Sequence, residues 1–273
     1  MRTTVIPEVD PMEVRFSQWI VNLFEHARSM SEALDSEESV DPDSGFFVDN
    51  ERLPVFRVPD YARSQISVAL GCIEALELMV MREGPDTFEI RIFPYGQFAL
   101  LRNALDSLAV CLWLLDPVSS TGRVKRRLQL EVDETYKGSL LKQTVGQPVK
   151  DWKRERRARI RQLAEEAGVV EWNPLKAGLP TTTKMLESIE RYHTDPVMPW
   201  LGWWQLASGH AHGKMWAKLA SHELEEVEGS RDGSSATYRV TANFGMLAGM
   251  LFETMKMTRC ALERYQTLGR AKV

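Results

Sequence analysis

Apolar residues recur at helical spacing through most of this chain of 273 residues. In residues 12–34 apolar side chains cluster three or four positions apart, after Asp10-Pro11, a pair that is typical of a helix start. The same spacing predicts seven further helices, most of them bounded by glycine, proline or capping residues. They are expected at residues 60–82, 94–115, 150–167, 184–192, 200–220 and 243–267, and in a segment after Gly122 that carries Val124, Leu128 and Val132.

Two segments depart from this helical pattern. Residues 35–59 are predicted to be an acidic, irregular loop, because eight acids and no Lys or Arg occur from Glu32 to Glu51. Residues 222–241 alternate around Gly229 and Asp232-Gly233, which predicts a β-hairpin insertion with strands at 222–228 and 236–241. Because no repeat or flexible linker divides the chain, we expect a single helical domain over residues 1–273. The predicted fold class is mainly α, a helical bundle with a small β-hairpin before the C-terminal helix.

The composition restricts the classes of partner and compartment. A net charge of -4 argues against an obligatory polyanion partner for the molecule as a whole. Three widely spaced cysteines do not suggest a disulfide framework, so a cytoplasmic location is expected. Residues 98–117 are nearly long enough to span a bilayer, but Arg102 and Asp106 lie near their middle. We therefore predict a helix buried within the protein and no membrane partner.

The helix at 94–115 carries an unusual set of polar residues. Arg102 and Asp106 are four positions apart, as are Asn103 and Ser107, so each pair shares a helix face. A buried charge must be paired or hydrogen-bonded. The pair Arg102 and Asp106 is either a structural ion pair that fixes helix register or one wall of a polar pocket.

The stretch ASGHAHGKMW at residues 207–216 is a second candidate for chemistry. Ser208 and His212 share a helix face with Trp204, whereas His210 points away, so the two histidines cannot chelate one metal from an unbroken helix. No metal site and no cofactor are therefore expected. Small residues, among them three glycines, form a stripe that indicates close approach to a neighbouring helix. If the helices at 94–115 and 200–220 are neighbours, their polar side chains could form an acid–base group. Its catalytic candidates are Arg102, Asp106, Ser208 and His212.

Positive charge is concentrated in residues 122–161, which hold thirteen basic and five acidic residues, a net charge of +8. Such a segment predicts a binding surface for RNA or a nucleotide. The binding candidates are Trp152, Lys153, Arg154, Arg156 and Arg157. Two alternatives are a solvated helix face and a docking surface for the acidic 32–51 segment of the same or another subunit.

Two stretches resemble a group of uncharacterised helical proteins: LRNALDSLAVCLWLLDPVSSTGRVKRRLQL (101–130) and WWQLASGHAHGKMW (203–216). The matching positions are Arg102, Asp106, Trp113, Pro117, Arg123, Arg126, Ser208, His212 and Gly213. More distantly, the chain resembles the HEPN superfamily of helical proteins, which includes RNases of toxin–antitoxin and abortive-infection systems and inert binding modules. The nuclease signature of that superfamily is an Arg followed, four to six residues later, by a His. No Arg stands at that spacing here, so cleavage would need Arg102 and His212 from separate helices.

Two functions of different class follow from these observations. The first is an HEPN-like module that binds or processes RNA or a nucleotide in a stress or defence system. It predicts that the four catalytic candidates converge in an open cleft near the basic helix. The alternative is a non-enzymatic scaffold that forms homo-oligomers, with the same four residues buried and mutually satisfied. In that case the Trp-rich residues 199–204 are a candidate partner face.

Overall fold

The computed structural model describes residues 10–36, 40–83, 88–93, 95–169 and 171–271. Helices dominate these residues, and two antiparallel sheets of two strands each accompany them. The elements are α1 (Pro11–Ser36), α2 (Gly45–Arg52), α3 (Val58–Val80), β1 (Met81–Glu83), β2 (Phe88–Ile90), α4 (Gly96–Leu115), α5 (Ser120–Thr144), α6 (Lys150–Glu166), α7 (Thr182–Ile189), a 3₁₀ turn (Glu190–Tyr192), α8 (Trp200–Ala211), α9 (Met215–Ser221), β3 (His222–Glu226), β4 (Tyr238–Ala242) and α10 (Phe244–Gly269). The prediction of a mainly α fold with a small hairpin before the last helix is confirmed.

Local hydrogen bonds fix where several helices begin. Ser44, Ser119 and Thr181 each accept a backbone N–H of the following helix at their side-chain oxygen. These N-caps satisfy donors that a helix start leaves without a partner.

One compact unit comprises Met1–Glu32, Val68–Asp106 and Asp195–Thr258. Most of its buried apolar side chains come from α1, α3, α4, α8 and α10. Those that are fully buried include Phe24, Ile73, Leu105, Trp200 and Leu251. The predicted hairpin belongs to this unit and is confirmed as β3 and β4, paired from His222 with Ala242 to Glu226 with Tyr238.

The other compact unit comprises Ala33–Ser67, Ser107–Thr194 and Arg259–Val273. Its α5 and α6 pack against each other as a helical hairpin, and both contribute to one buried apolar cluster. That cluster contains Leu53, Val124, Leu128, Ile160, Leu163, Ala164, Ala167 and Val169. We call α5 and α6 together the basic hairpin, because they hold nearly all of the cationic 122–161 segment.

Most of α4 is buried. Among the described residues it is the one helix long and apolar enough to cross a membrane, and 67% of its apolar window lies inside the protein. Burial of this extent is typical of a core helix.

Three elements differ from the sequence predictions. The segment 35–59, predicted to be irregular, contains α2, because the Ser44 cap and the burial of Phe46 and Asp49 outweigh its acidic composition; residues 37–39 lie outside the described ones. The helix predicted at 200–220 is two helices, α8 and α9. The short β1–β2 pair was not predicted.

Candidate functional site

Arg102 and Asp106 lie one turn apart on α4 and form an ion pair, with Nη2 of Arg102 3.7 Å from Oδ2 of Asp106. Trp204 of α8 donates its indole N–H to Oδ1 of Asp106 at 2.8 Å. The guanidinium carbon of Arg102 lies 5.9 Å from the centroid of the same indole. The side chains of the pair are 31% and 28% exposed. The Arg102–Asp106 ion pair predicted from the sequence is therefore present, and Trp204 contacts both of its side chains.

Ser208 and His212 lie at the end of α8, which stops at Ala211. Gly213 has a φ of +64°, a conformation that favours glycine. The Gly213 N–H donates to the His210 carbonyl at 2.9 Å, and the Lys214 N–H donates to the Gly209 carbonyl at 2.8 Å. This pair of bonds is a Schellman C-cap. The prediction of one helix over 200–220 is wrong because Gly213 ends α8.

The four catalytic candidates are only partly brought together. His212 is exposed and Ser208 is half-buried. These two residues share a backbone hydrogen bond, from the His212 N–H to the Ser208 carbonyl at 3.0 Å, but no side-chain hydrogen bond joins them. Asp106 accepts a hydrogen bond from Trp204 and none from His212. No hydrogen bond among the described residues therefore links Asp106 to His212, as the acid–base group expected from the two polar helices would require.

Neither sequence hypothesis describes this region fully. The scaffold hypothesis expects all four side chains to be buried, whereas His212 is exposed and the Arg102–Asp106 pair is partly so. Within its candidate partner face at residues 199–204, Trp200 and Trp203 are buried in the core, whereas Leu201 and Trp204 are half-buried. The RNA hypothesis expects all four side chains to converge. An ion pair joins Arg102 to Asp106, and no hydrogen bond or ion pair among the described residues joins either of them to the side chain of Ser208 or His212.

A buried cluster centred on His210 was missed by the sequence reasoning. His210 of α8 contacts Ser221 at the end of α9, with Nε2 2.6 Å from Oγ. Nδ1 of His222 lies 3.2 Å from the same hydroxyl. The His210 ring stacks on Phe98 and on His222, with ring centroids 4.1 and 4.7 Å apart. In the sequence, Gly213 was the one indication of the contact between His210 and Ser221, because the turn at Gly213 brings α9 back against α8.

The protonation of His210 is tied to the Ser221 hydroxyl. Oγ of Ser221 lies 2.8 Å from the Ala217 carbonyl, and when it donates its single proton there, the 2.6 Å contact with His210 takes its proton from Nε2. Nδ1 of His210 is buried and has no hydrogen-bond partner. Burial, the nearby His222 and Lys218 together lower the pKa of His210 to about 4. With a neutral His210 and a buried Ser221 whose hydroxyl is bonded to a backbone carbonyl, this cluster supports packing of α9 on α8 rather than nucleophilic chemistry.

Part of the positive charge of residues 122–161 is used inside the second unit. Arg123 binds both carboxylate oxygens of Asp49, at 2.6 and 3.0 Å, and both side chains are buried. Asp49 belongs to the acidic 32–51 segment, so the proposed docking of that segment onto the basic one occurs here within the chain. Glu131 accepts hydrogen bonds from Arg127 and from Arg156, which links α5 to α6. Burial lowers the pKa of Arg127.

Much of the remaining charge lies on the outer face of α6, although Lys125, Lys137 and Lys142 belong to α5. Lys150, Arg154, Arg157 and Arg161 are exposed and stand at positions i, i+4, i+7 and i+11, which places them on one helix face about 16 Å long. We call these four the cationic stripe. Arg154 pairs with exposed Asp151. Lys150, Arg157 and Arg161 have no ion-pair partner among the residues that the structure describes. The buried side of α6 carries Ile160, Leu163 and Ala164.

Aromatic side chains lie near Lys153, which stands three positions after Lys150 and four before Arg157 of the cationic stripe. Tyr136 of α5 is 51% exposed, and Nζ of Lys153 lies 5.4 Å from its ring centroid. Trp152 is half-buried against α5, where a Cβ at Gly138 would approach its ring to 3.3 Å. Of the five binding candidates, Arg154 and Arg157 therefore lie at the outer surface, and Lys153 is half-buried beside Tyr136. Trp152 and Arg156 serve mainly the contact between α5 and α6.

The described residues contain no group of three or more His, Cys, Asp or Glu side chains that could hold a metal ion. No family model, no curated protein and no solved structure matches the chain.

Proposed function

We propose that this chain is a helical RNA-binding protein, and that RNA lies along the cationic stripe of the basic hairpin. The observation that carries the proposal is the stripe itself, four exposed cations on one face of α6, three of them without an acidic partner among the described residues. Phosphate groups bound at such a surface release condensed counterions, which favours association.

The aromatic neighbour of the stripe favours single-stranded RNA. The exposed ring of Tyr136 offers a face on which a base can stack, and Lys153 lies beside it. Stacking of this kind contributes about 1–3 kcal/mol per base and tolerates different sequences. The molecule as a whole is acidic, with a net charge of -4. A polyanion is therefore attracted locally to the basic hairpin rather than to the whole surface.

The resemblance to the HEPN superfamily supports the same class of ligand. A place in a stress or defence system enters the proposal through that resemblance alone. The geometry supports RNA binding better than RNA processing, because among the described residues no hydrogen bond or ion pair joins the side chain of His212 or Ser208 to the Arg102–Asp106 pair.

Fluorescence anisotropy with a labelled single-stranded RNA of about 20 nucleotides tests the proposal. The triple substitution Lys150→Gln, Arg157→Gln and Arg161→Gln removes the three unpaired cations. We expect weaker binding at every salt concentration, and a slope of log K against log salt that is smaller by about 2, because each lost phosphate contact on a single strand removes about 0.7.

A matched control removes three exposed cations from elsewhere in the same unit: Lys176→Gln, Lys184→Gln and Arg259→Gln. It changes net charge equally and should leave the salt slope nearly unchanged. Equal loss in both triple variants, or no loss in the first, contradicts the proposal. Tighter binding of duplex DNA than of RNA contradicts the choice of RNA.

Cleavage is tested separately by incubating RNA with the wild type, with Arg102→Ala and with His212→Ala. Because no hydrogen bond or ion pair joins those two side chains to one another or to Ser208 among the described residues, we expect all three proteins to leave the RNA intact. Degradation that both substitutions abolish would restore the RNA-processing hypothesis.

A further inference from the structure

A pocket of about 510 Å³ opens in the second unit. It lies between the first residue of α2, the loop before α5 and the last turns of α10, and its lining includes Gly45, Val118, Thr267 and Leu268. Its volume is typical of small-molecule sites, and its lining combines apolar with polar groups, as such sites do. This pocket is separate from the cationic stripe, which lies on α6.

Three arginines line the pocket, and they differ in what they can bind. Arg123 is already satisfied by Asp49 and by the carbonyls of Gly45, Pro117 and Val118. It therefore holds the pocket wall in place. Arg270 lies near the end of the described chain, beside the pocket.

Arg264 is oriented for a ligand. Its Nε donates to the Leu115 carbonyl at 3.1 Å, and the side chain is half-buried. Within the described residues its two Nη groups have no hydrogen-bond partner. A guanidinium that one backbone contact holds in place, with the opposite N–H groups unused, fits the two oxygens of a carboxylate or phosphate group. Glu263 is the one acidic side chain among the residues that line the pocket.

We propose that this pocket binds a small molecule that has an apolar body and a carboxylate or phosphate group, with Arg264 holding the anionic group. The apolar body lies against Val118 and Leu268. This site does not depend on RNA binding by the basic hairpin, and either proposal can fail without the other.

Isothermal titration calorimetry of the full chain with phenyl phosphate, benzoate and phenol tests the proposal. The three probes share an aromatic body, and the first two distinguish a phosphate ligand from a carboxylate ligand. We expect at least one of the two anions to bind with a Kd in or below about the millimolar range, and phenol to bind at least about tenfold more weakly. Absence of binding by both anions, or equal binding of phenol, overturns the proposal.

Four variants locate the site. Arg264→Gln should weaken anion binding at least about tenfold, whereas Arg259→Gln, an exposed position on the same helix outside the pocket lining, should not. Thr267 lies exposed at the pocket, so Thr267→Glu should repel the anion while Thr267→Gln retains binding. Circular dichroism establishes that each variant is folded. Unchanged binding in folded Arg264→Gln or Thr267→Glu protein refutes the site.

Discussion

At the scale of single residues, Arg123 shows that a cation in a basic segment can belong wholly to the fold. Its five N–H groups meet two carboxylate oxygens of Asp49 and three backbone carbonyls. The side chains of Arg123 and Asp49 are 3% and 0% exposed. Removal of one member of such a pair leaves a buried charge without compensation.

Asp49→Asn is therefore expected to lower the free energy of unfolding by about 3–5 kcal/mol. Urea denaturation measures the change. The matched control is Asp151→Asn, which removes the partner of Arg154 from a pair whose side chains are 72% and 69% exposed. Because water screens that pair, the control should change stability by no more than about 1 kcal/mol. Similar losses in the two variants would contradict a structural role for the buried pair.

His210 should make stability depend on pH in the acidic range. Burial, His222 and Lys218 lower its pKa from 6.5 to about 4. Between these values the unfolded chain binds a proton that the folded chain does not. The stabilisation is thus complete above pH 6.5 and is lost as the pH falls toward 4, by an amount on the order of 3 kcal/mol.

Urea denaturation across this pH interval checks the prediction. His210→Gln should flatten the pH dependence, because the amide cannot titrate. His212→Gln is the matched control and should retain the wild-type dependence, because His212 is exposed. A wild-type pH dependence in His210→Gln would show that other groups cause it.

At the scale of elements, the joint between α8 and α9 accounts for two of the glycines in the predicted stripe. A Cβ at Gly209 would lie 2.6 Å from the Trp216 ring and 2.7 Å from the Cβ of Ala217. The close helix approach predicted from the small residues is confirmed there, with the next helix of the chain as the neighbour. Gly213 instead ends α8. The partner could not be predicted from spacing alone, because it depends on where the helix breaks.

Gly209→Ala should therefore destabilise the protein by about 1–3 kcal/mol through overpacking. The matched control is Gly71→Ala in α3, where an added Cβ meets nothing within 4 Å. That change should be neutral or stabilise by up to about 1 kcal/mol, because alanine favours a helix interior. Thermal and urea unfolding measure both variants, and destabilisation of equal size in the two would contradict the close contact at Gly209.

At the scale of the whole molecule, the boundaries between the two compact units fall inside helices. They divide α1, α3, α4 and α10, and one further boundary lies between Thr194 and Asp195. Separation of the units would thus require breaks in four continuous helices. We expect one cooperative unfolding transition.

Differential scanning calorimetry tests this expectation by comparing the calorimetric with the van't Hoff enthalpy, which should agree. Tryptophan fluorescence and far-UV circular dichroism should give the same midpoint. Two separated transitions, or midpoints that differ between the probes, would show that the units unfold independently.

The sequence predicted the structure best where a feature depends on residues close together in the chain. It identified the long helices, the hairpin and the Arg102–Asp106 pair, because each depends on residues a few positions apart. It missed the contact between His210 and Ser221 and the helix around Asp49, which depend on tertiary neighbours. It also could not distinguish buried Arg123 from exposed Arg157, since both belong to the same run of charge.

The docking of Asp49 against Arg123 has a consequence for the order of folding. A helix of eight residues, such as α2, is too short to persist by itself. Its partner stands 74 positions away in the sequence, so the contact closes a long loop and α2 gains its stability only after α5 has formed. We therefore expect α2 to become ordered after α5 and to open before it.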